Sequence, residues 1–197
     1  MDDKDLFELV KANRLTVSDL QGRDITLTDS LGMTLLHYAA VNGDLNLCKH
    51  LISLKTSQNR FGSTALQFAA INGHFHICKL LEDTKNIVDE INDTVLHEAA
   101  MYGHLRICKL FQDLRETRNS TGDTVLHSAA SGGNLQICKF FEDLRLLVND
   151  NEETVLFKAI DSGNIAVVKL FLDLKGQKDV TGQLPIHLAA RCGELQI

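Results

Sequence analysis

The 197-residue chain holds a single proline, Pro185, and no apolar run that approaches the roughly 18–20 residues a membrane-spanning helix needs. It has no surplus of positive charge. Its 26 acidic and 20 basic side chains give a net charge of −6, which argues against a nucleic-acid binder that works by neutralising phosphates. The opening Met1-Asp2-Asp3-Lys4-Asp5 lacks the basic stretch and apolar core of a secretory signal, so the expected location is cytoplasmic or nuclear. There is no Cys-x-x-Cys pair, no serine–histidine–acid grouping and no glycine loop suited to cradling a phosphate. These gaps point to a non-enzyme with no cofactor, no metal and no membrane insertion.

What the chain has instead is repetition. Thr34, Thr64, Thr94, Thr124 and Thr154 stand 30 residues apart, with Leu184 next in the series. Gly43, Gly73, Gly103, Gly133, Gly163 and Gly193 keep the same step, as do Cys48, Cys78, Cys108 and Cys138. A fixed period of this size is the signature of a stacked-repeat architecture. Within the third unit, Thr94 is placed to cap a helix over Val95–Met101 that packs through Leu96, Ala99 and Ala100. Gly103 reverses the chain. Leu105, Ile107, Cys108, Phe111 and Leu114 then follow at the spacing of a second amphipathic helix. Such a helix–turn–helix is too short to bury its own apolar faces and must stack on copies of itself.

The motif Thr94-Val95-Leu96-His97-Glu98-Ala99-Ala100-Met101-Tyr102-Gly103-His104-Leu105 resembles the ankyrin repeat. It recurs as Thr34–Leu45, Thr64–Phe75, Thr124–Leu135, Thr154–Ile165 and Leu184–Leu195. The resemblance implies an all-α solenoid in which the motif histidine hydrogen-bonds the motif threonine and the neighbouring backbone. The period is three residues shorter than the usual 33, which implies a shortened projecting finger between units. The expected organisation is a capping unit at residues 1–28 and a repeat array at 29–197. Its units begin near residues 30, 60, 90, 120, 150 and 180, and the last is truncated after Glu194-Leu195-Gln196-Ile197 opens a second helix. Further repeats or a dimer are expected to cover that end.

Three ladders invite chemical readings and yield structural ones. The four in-phase cysteines are expected to be buried free thiols, because stacked helices lie about 8–10 Å apart and disulfide Cα atoms within about 7 Å. Cys192, out of phase, is expected to be accessible. His37, His97, His127 and His187 share one motif position, with Gln67 and Phe157 in the other two units. His74 and His76 flank a Phe75 expected to be buried, and are themselves expected at the surface. Lys79, Lys109, Lys139 and Lys169 precede Asp83, Asp113, Asp143 and Asp173 by four residues, the spacing of ion pairs within a helix on a solvated convex back.

Function is expected in the residues that vary on the constant scaffold. By the resemblance these lie on finger tips and first helices: Met33, Phe61, Ile71, Asp93, Met101, Tyr102, Asp123 and Glu153. Tyr38 and Phe68 also fall there but are equally suited to packing against a neighbouring unit. Early units present apolar and aromatic side chains and later ones acidic side chains. The expectation is a non-catalytic protein–protein interaction module whose concave groove takes a protein or peptide with apolar anchors and a basic segment. The alternative is a regulatory or targeting region of a larger polypeptide, a channel or modifying enzyme, continuing beyond residue 197. The fifth unit, with Phe157, Ile160 and Val168 at motif positions, is expected to be the weak joint.

Overall fold

A computed structural model describes residues 3–193. The expected start of a helix at Glu194–Ile197 lies outside them. By its contacts the chain divides into two compact units, residues 1–90 and 91–197. Among the described residues there are helices, turns and two isolated β-bridges, and no strands.

In the first unit, α1 (Asp3–Lys11) and a 3-10 turn (Val17–Leu20) precede two helical pairs. These are α2 (Leu35–Asn42) with α3 (Leu45–His50), and α4 (Ala65–Ile71) with α5 (Phe75–Leu80). Helix α1 packs on α2, α2 on α4, and α3 on α5. Leu6, Phe7 and Val10 are the buried face of α1, and the Asn42 amide donates to the Val10 carbonyl at 2.6 Å. The second unit is built the same way. Its inner row is α6 (Val95–Met101), α8 (Val125–Ser131), α10 (Val155–Asp161) and α12 (Pro185–Cys192). Its outer row is α7 (Leu105–Leu110), α9 (Leu135–Phe140) and α11 (Ile165–Leu170). Each inner helix packs on the next, and each of α6, α8 and α10 carries its own outer helix.

The outer helices are shorter than the apolar spacing predicts. Phe111, at φ −109° and ψ 22°, leaves helical geometry, and a 3-10 turn at Gln112–Leu114 follows. Three residues per turn set Leu114 on the same side as Phe111, so both stay buried although the helix has stopped. This break also corrects the expected ion pairs. The aspartates sit in the 3-10 turns, beyond the helix that carries the lysine, and Asp83, Asp143 and Asp173 pair instead with a cation of the preceding repeat. Lys55 bridges to Asp83, Arg115 to Asp143 and Arg145 to Asp173. The outer rows are thus laced across repeats within each unit, with Lys109 also over the Phe140 ring at 5.7 Å.

The motif histidines are stitched as the resemblance implies. His37 Nδ1 accepts the Thr34 backbone N–H at 3.0 Å. An acceptor Nδ1 requires the ring proton on Nε2, which therefore donates to the Ser63 carbonyl of the next repeat at 3.1 Å. His97 and His127 repeat the arrangement, donating to the Asp123 and Glu153 carbonyls at 3.2 Å each. Gln67 makes the first of these bonds, its Oε1 accepting the Thr64 N–H at 2.9 Å. Phe157 supplies neither bond. The Thr154 hydroxyl is in consequence buried without a hydrogen-bond partner among the described residues. Thr124→Val should cost about 1 kcal/mol while Thr154→Val costs nothing or stabilises, measured by urea unfolding. Equal losses from both would show that the Thr154 hydroxyl is satisfied after all.

Burial holds the His37 and His127 rings below the ordinary imidazole value, since the charged form is disfavoured there. For His127 the Asp123 carboxylate opposes this, and Lys158 and Arg118 add to it. The unfolded chain takes up these protons as pH falls through about 6.5, whereas the fold resists, so the unfolded state binds more. Stability is therefore complete above about pH 6.5 and is lost below it, by up to about 1.4 kcal/mol per pH unit for each ring. The melting temperature should fall between about pH 7 and 5, and fall less in His127→Gln, which imitates Gln67. A flat profile would contradict this origin.

Cys48, Cys78, Cys108 and Cys138 have no exposed surface, and burial pushes each thiol up to about 12. Cys192 is exposed. Because the thiolate is the reactive form, a thiol reagent at neutral pH should label Cys192 in the native protein and the other four only on unfolding. Cys108→Ser should cost about 1–3 kcal/mol by burying an unpaired hydroxyl. Rapid native labelling of all five would contradict the core assignment.

Candidate protein-binding site

The fingers between repeats are set by one side chain each. Asn59 Oδ1 accepts the N–H groups of Phe61 and Ser63, both at 2.9 Å. Asp29, Asn119, Asn149 and Asp179 close their own fingers in the same way. These residues share the 30-residue step, a signal that was present in the sequence beside the more conspicuous threonines. The residue three places after each of them lies at positive φ, where glycine is favoured: Gly32, Gly62, Gly122 and Gly182, with Asn92 and Glu152 in the same conformation. Each tip is then tied to its neighbour through the backbone. Arg60 N–H donates to Leu31 and Glu90 to Phe61 in the first unit; Ser120 donates to Ile91, Asp150 to Thr121 and Val180 to Asn151 in the second. Side chains at these tips are held outward on a rigid backbone.

Of the expected partner-binding residues, Phe61 at a finger tip and Met101 and Tyr102 at the end of α6 are exposed, Phe61 and Tyr102 by more than half. Ile91, also more than half exposed, occupies the same finger position as Leu31 and Phe61. Its place in the 30-residue step is the signal in the sequence that marks it. Ile71 and Asp93 are half-buried, and Asp93 accepts from the Asn119 amide at 3.0 Å. Met33 is a correction. It is buried, because Asn59 of the following finger lies against it with its amide 3.4 Å from the sulfur. His74 is a second correction: it is half-buried, as is Phe75, and its Nε2 is 3.0 Å from the Val41 carbonyl of the preceding repeat. Tyr38 and Phe68 pack within the first unit. The Tyr38 phenol donates to Asp29 at 2.6 Å, and the Phe68 ring meets His37 edge-on at 5.8 Å.

Asp123 and Glu153 were expected to guide a basic partner, but both are already engaged. Lys158 Nζ lies 3.3 Å from each carboxylate, and the buried Asn149 amide donates to both at 2.8 Å. The side chains of Lys158, Asp123 and Glu153 are only 20%, 15% and 23% exposed. Burial works against the Lys158 charge, yet the two carboxylates outweigh it and its pKa is raised. The three form an internal knot that joins repeats, and their charges are spent on one another.

Beside Tyr102 the surface is open. The equivalent of Tyr102 in the next repeat is Gly132, where a methyl group would sit 1.9 Å from the Met101 carbonyl. Glycine lets α8 end against that carbonyl and leaves no side chain to screen the tyrosine.

Inner and outer helices joined by a tight turn, with hydrogen-bonded fingers between repeats, define an all-α repeat scaffold. The family model described as ankyrin repeats (3 copies) matches residues 6–90 and 82–143, more than half of the chain. The chain belongs to the ankyrin-repeat family. Comparison with curated proteins finds no match to it. Ankyrin repeats are generally protein–protein interaction modules, and the fold is typically a non-catalytic binding scaffold.

Proposed function

We propose that the chain binds a partner protein or peptide through its finger tips and the exposed ends of its inner helices, with apolar anchoring as the main attraction. The observation that carries this is the exposure of large apolar side chains at one finger position, Leu31 and Phe61 in the first unit and Ile91 in the second, together with Met101 and Tyr102 at the end of an inner helix of the second unit. Apolar residues left outside the core at repeated positions mark interaction surfaces, and Tyr, Phe and Met are enriched at interface cores. A basic segment on the partner has less support, since only Asp93 of the three expected guides lies outside the lysine knot.

The test is capture of binding proteins on the immobilised chain, comparing wild type with Phe61→Ala and Tyr102→Ala and with Lys109→Glu on the outer helix α7. A partner lost from the first two and retained by the third supports the assignment. A partner indifferent to the apolar pair and lost from Lys109→Glu places the working face on the outer helices.

A further inference from the structure

The cleft between the fifth and sixth repeats repeats a site that the chain itself fills one repeat earlier. Between the fourth and fifth repeats three donors converge. The His127 ring donates to the Glu153 carbonyl, the Asn149 amide to the Asp123 and Glu153 carboxylates, and the Lys158 ammonium reaches the same two carboxylates. At the next 30-residue step all three donors are gone: Phe157 stands for His127, Asp179 for Asn149 and Leu188 for Lys158. What remains is a cleft of about 310 Å³ whose walls are α10, α12 and the finger before each, all within the second unit.

Asp179 marks the exchange most clearly. Asn149 Oδ1 accepts the N–H groups of Asn151 and Glu153 at 3.0 Å each, and this closure aims its amide at the two carboxylates. Asp179 Oδ1 accepts the N–H groups of Thr181 and Gln183 at 2.9 Å each. The same closure sets Asp179 Oδ2, a charged acceptor, where Asn149 holds its donor. Asp161 adds a second carboxylate at the place of Ser131, and the Gln183 carbonyl lacks the ring donor that the Glu153 carbonyl receives. Glu153 also lines the cleft, although its Oε2 serves the Lys158 knot. Phe157 and Leu188 form an apolar part of the lining, and Arg191, exposed at the rim, is its one cation.

We propose that this cleft receives a lysine side chain of a partner protein, its stem along Phe157 and Leu188 and its ammonium among Asp179, Asp161 and the Gln183 carbonyl. Lys158 is the pattern for that occupant. An ammonium offers three donors and no acceptor, which is what an acceptor-lined cleft calls for. The chain's own residue at the lysine position, Leu188, is buried and uncharged, so the cation comes from outside. Asn151 and Thr181 at the rim hold the finger position of Ile91, and the inference rests on the reading of fingers and inner helices as the binding surface. A basic side chain thus finds its place one repeat beyond the Lys158 knot rather than at it.

The probe is Nα-acetyl-lysinamide, titrated into the isotope-labelled full chain and followed by its amide chemical shifts. Saturable shifts are expected at Asn151, Asp179, Thr181 and Gln183, and none from Nα-acetyl-norleucinamide, which lacks the ammonium. Asp179→Asn, which restores the residue of the earlier finger, should weaken binding several-fold, and Leu188→Lys should abolish it by filling the cleft from within. Leu188 is buried, so Asp179→Asn keeps the test open if Leu188→Lys unfolds. Absence of saturable shifts, or binding indifferent to either substitution in a folded variant, overturns the proposal. Tighter binding of Nα-acetyl-argininamide overturns it in favour of a guanidinium, and shifts that appear only in Lys178→Met overturn it in favour of the chain's own lysine. A captured partner that holds Asp179→Asn as firmly as wild type removes the partner's lysine as the occupant. None of these variants alters Phe61 or Tyr102, so failure here leaves the apolar contact surface standing.

Discussion

Lys158→Met is expected to destabilise the protein by about 2–4 kcal/mol. The substitution keeps most of the side-chain volume and removes the charge, leaving the Asp123 and Glu153 carboxylates facing each other across Asn149. Removing one partner of a buried ionic group leaves uncompensated charge in a poorly solvated place, and this costs far more than the pair gained by forming. Because the three side chains are about one-fifth exposed, the loss sits below the full value for a sealed site. The deficit should shrink when Glu153→Gln is added, since one of the two repelling charges is then gone. Urea unfolding of the wild type, the single variant and the double variant measures all of this. A single variant as stable as wild type would show the knot to be a surface pairing of no consequence.

The other large effect is on binding. Tyr102→Ala should cost about 1–4 kcal/mol of partner affinity, the range found for aromatic anchors near the centre of an interface. Tyr102 is more than half exposed and lies outside the core, so stability should move by less than about 0.5 kcal/mol. Lys109→Glu and Lys139→Glu, on the outer helices, should leave affinity unchanged. Charge reversal at Asp93 tests electrostatic guidance and is expected to slow association more than it speeds dissociation, with urea unfolding run alongside to separate the loss of its bond to the Asn119 amide. The same reversal at Asp123 would break the Lys158 knot and confuse binding with folding. Calorimetry with the captured partner reads the Tyr102 effect; unchanged affinity would remove the tyrosine from the interface.

The parts of the fold that were legible in the sequence are those that the backbone itself demands. A turn glycine in all six units, a capping threonine in all but the last and an alanine pair in all but the fifth each answer a local requirement, and their recurrence announces the stack. The histidine stitch was legible for the same reason, and Phe157 correctly marked the place where it fails. What escaped were contacts made between neighbouring repeats. Asp83 and Asp143 lie at an intrahelical spacing from Lys79 and Lys139, yet the outer helices end at Leu80 and Phe140, and the carboxylates turn to the previous repeat. Met33 is buried by Asn59, which is 26 residues away along the chain. Lys158 meets Asp123 from 35 residues away, and no feature of either residue's own surroundings in the sequence gives that partner away. Ile91 was legible through its spacing alone.

The central claim, that finger tips and inner-helix ends are the working surface, is tested most directly by hydrogen exchange of the chain with and without its captured partner. New protection at residues 91–93 and at the end of α6 around Met101 and Tyr102, with α7 and α9 unchanged, is the predicted result. New protection confined to α7 and α9, with the finger amides exchanging as in the free protein, would contradict it.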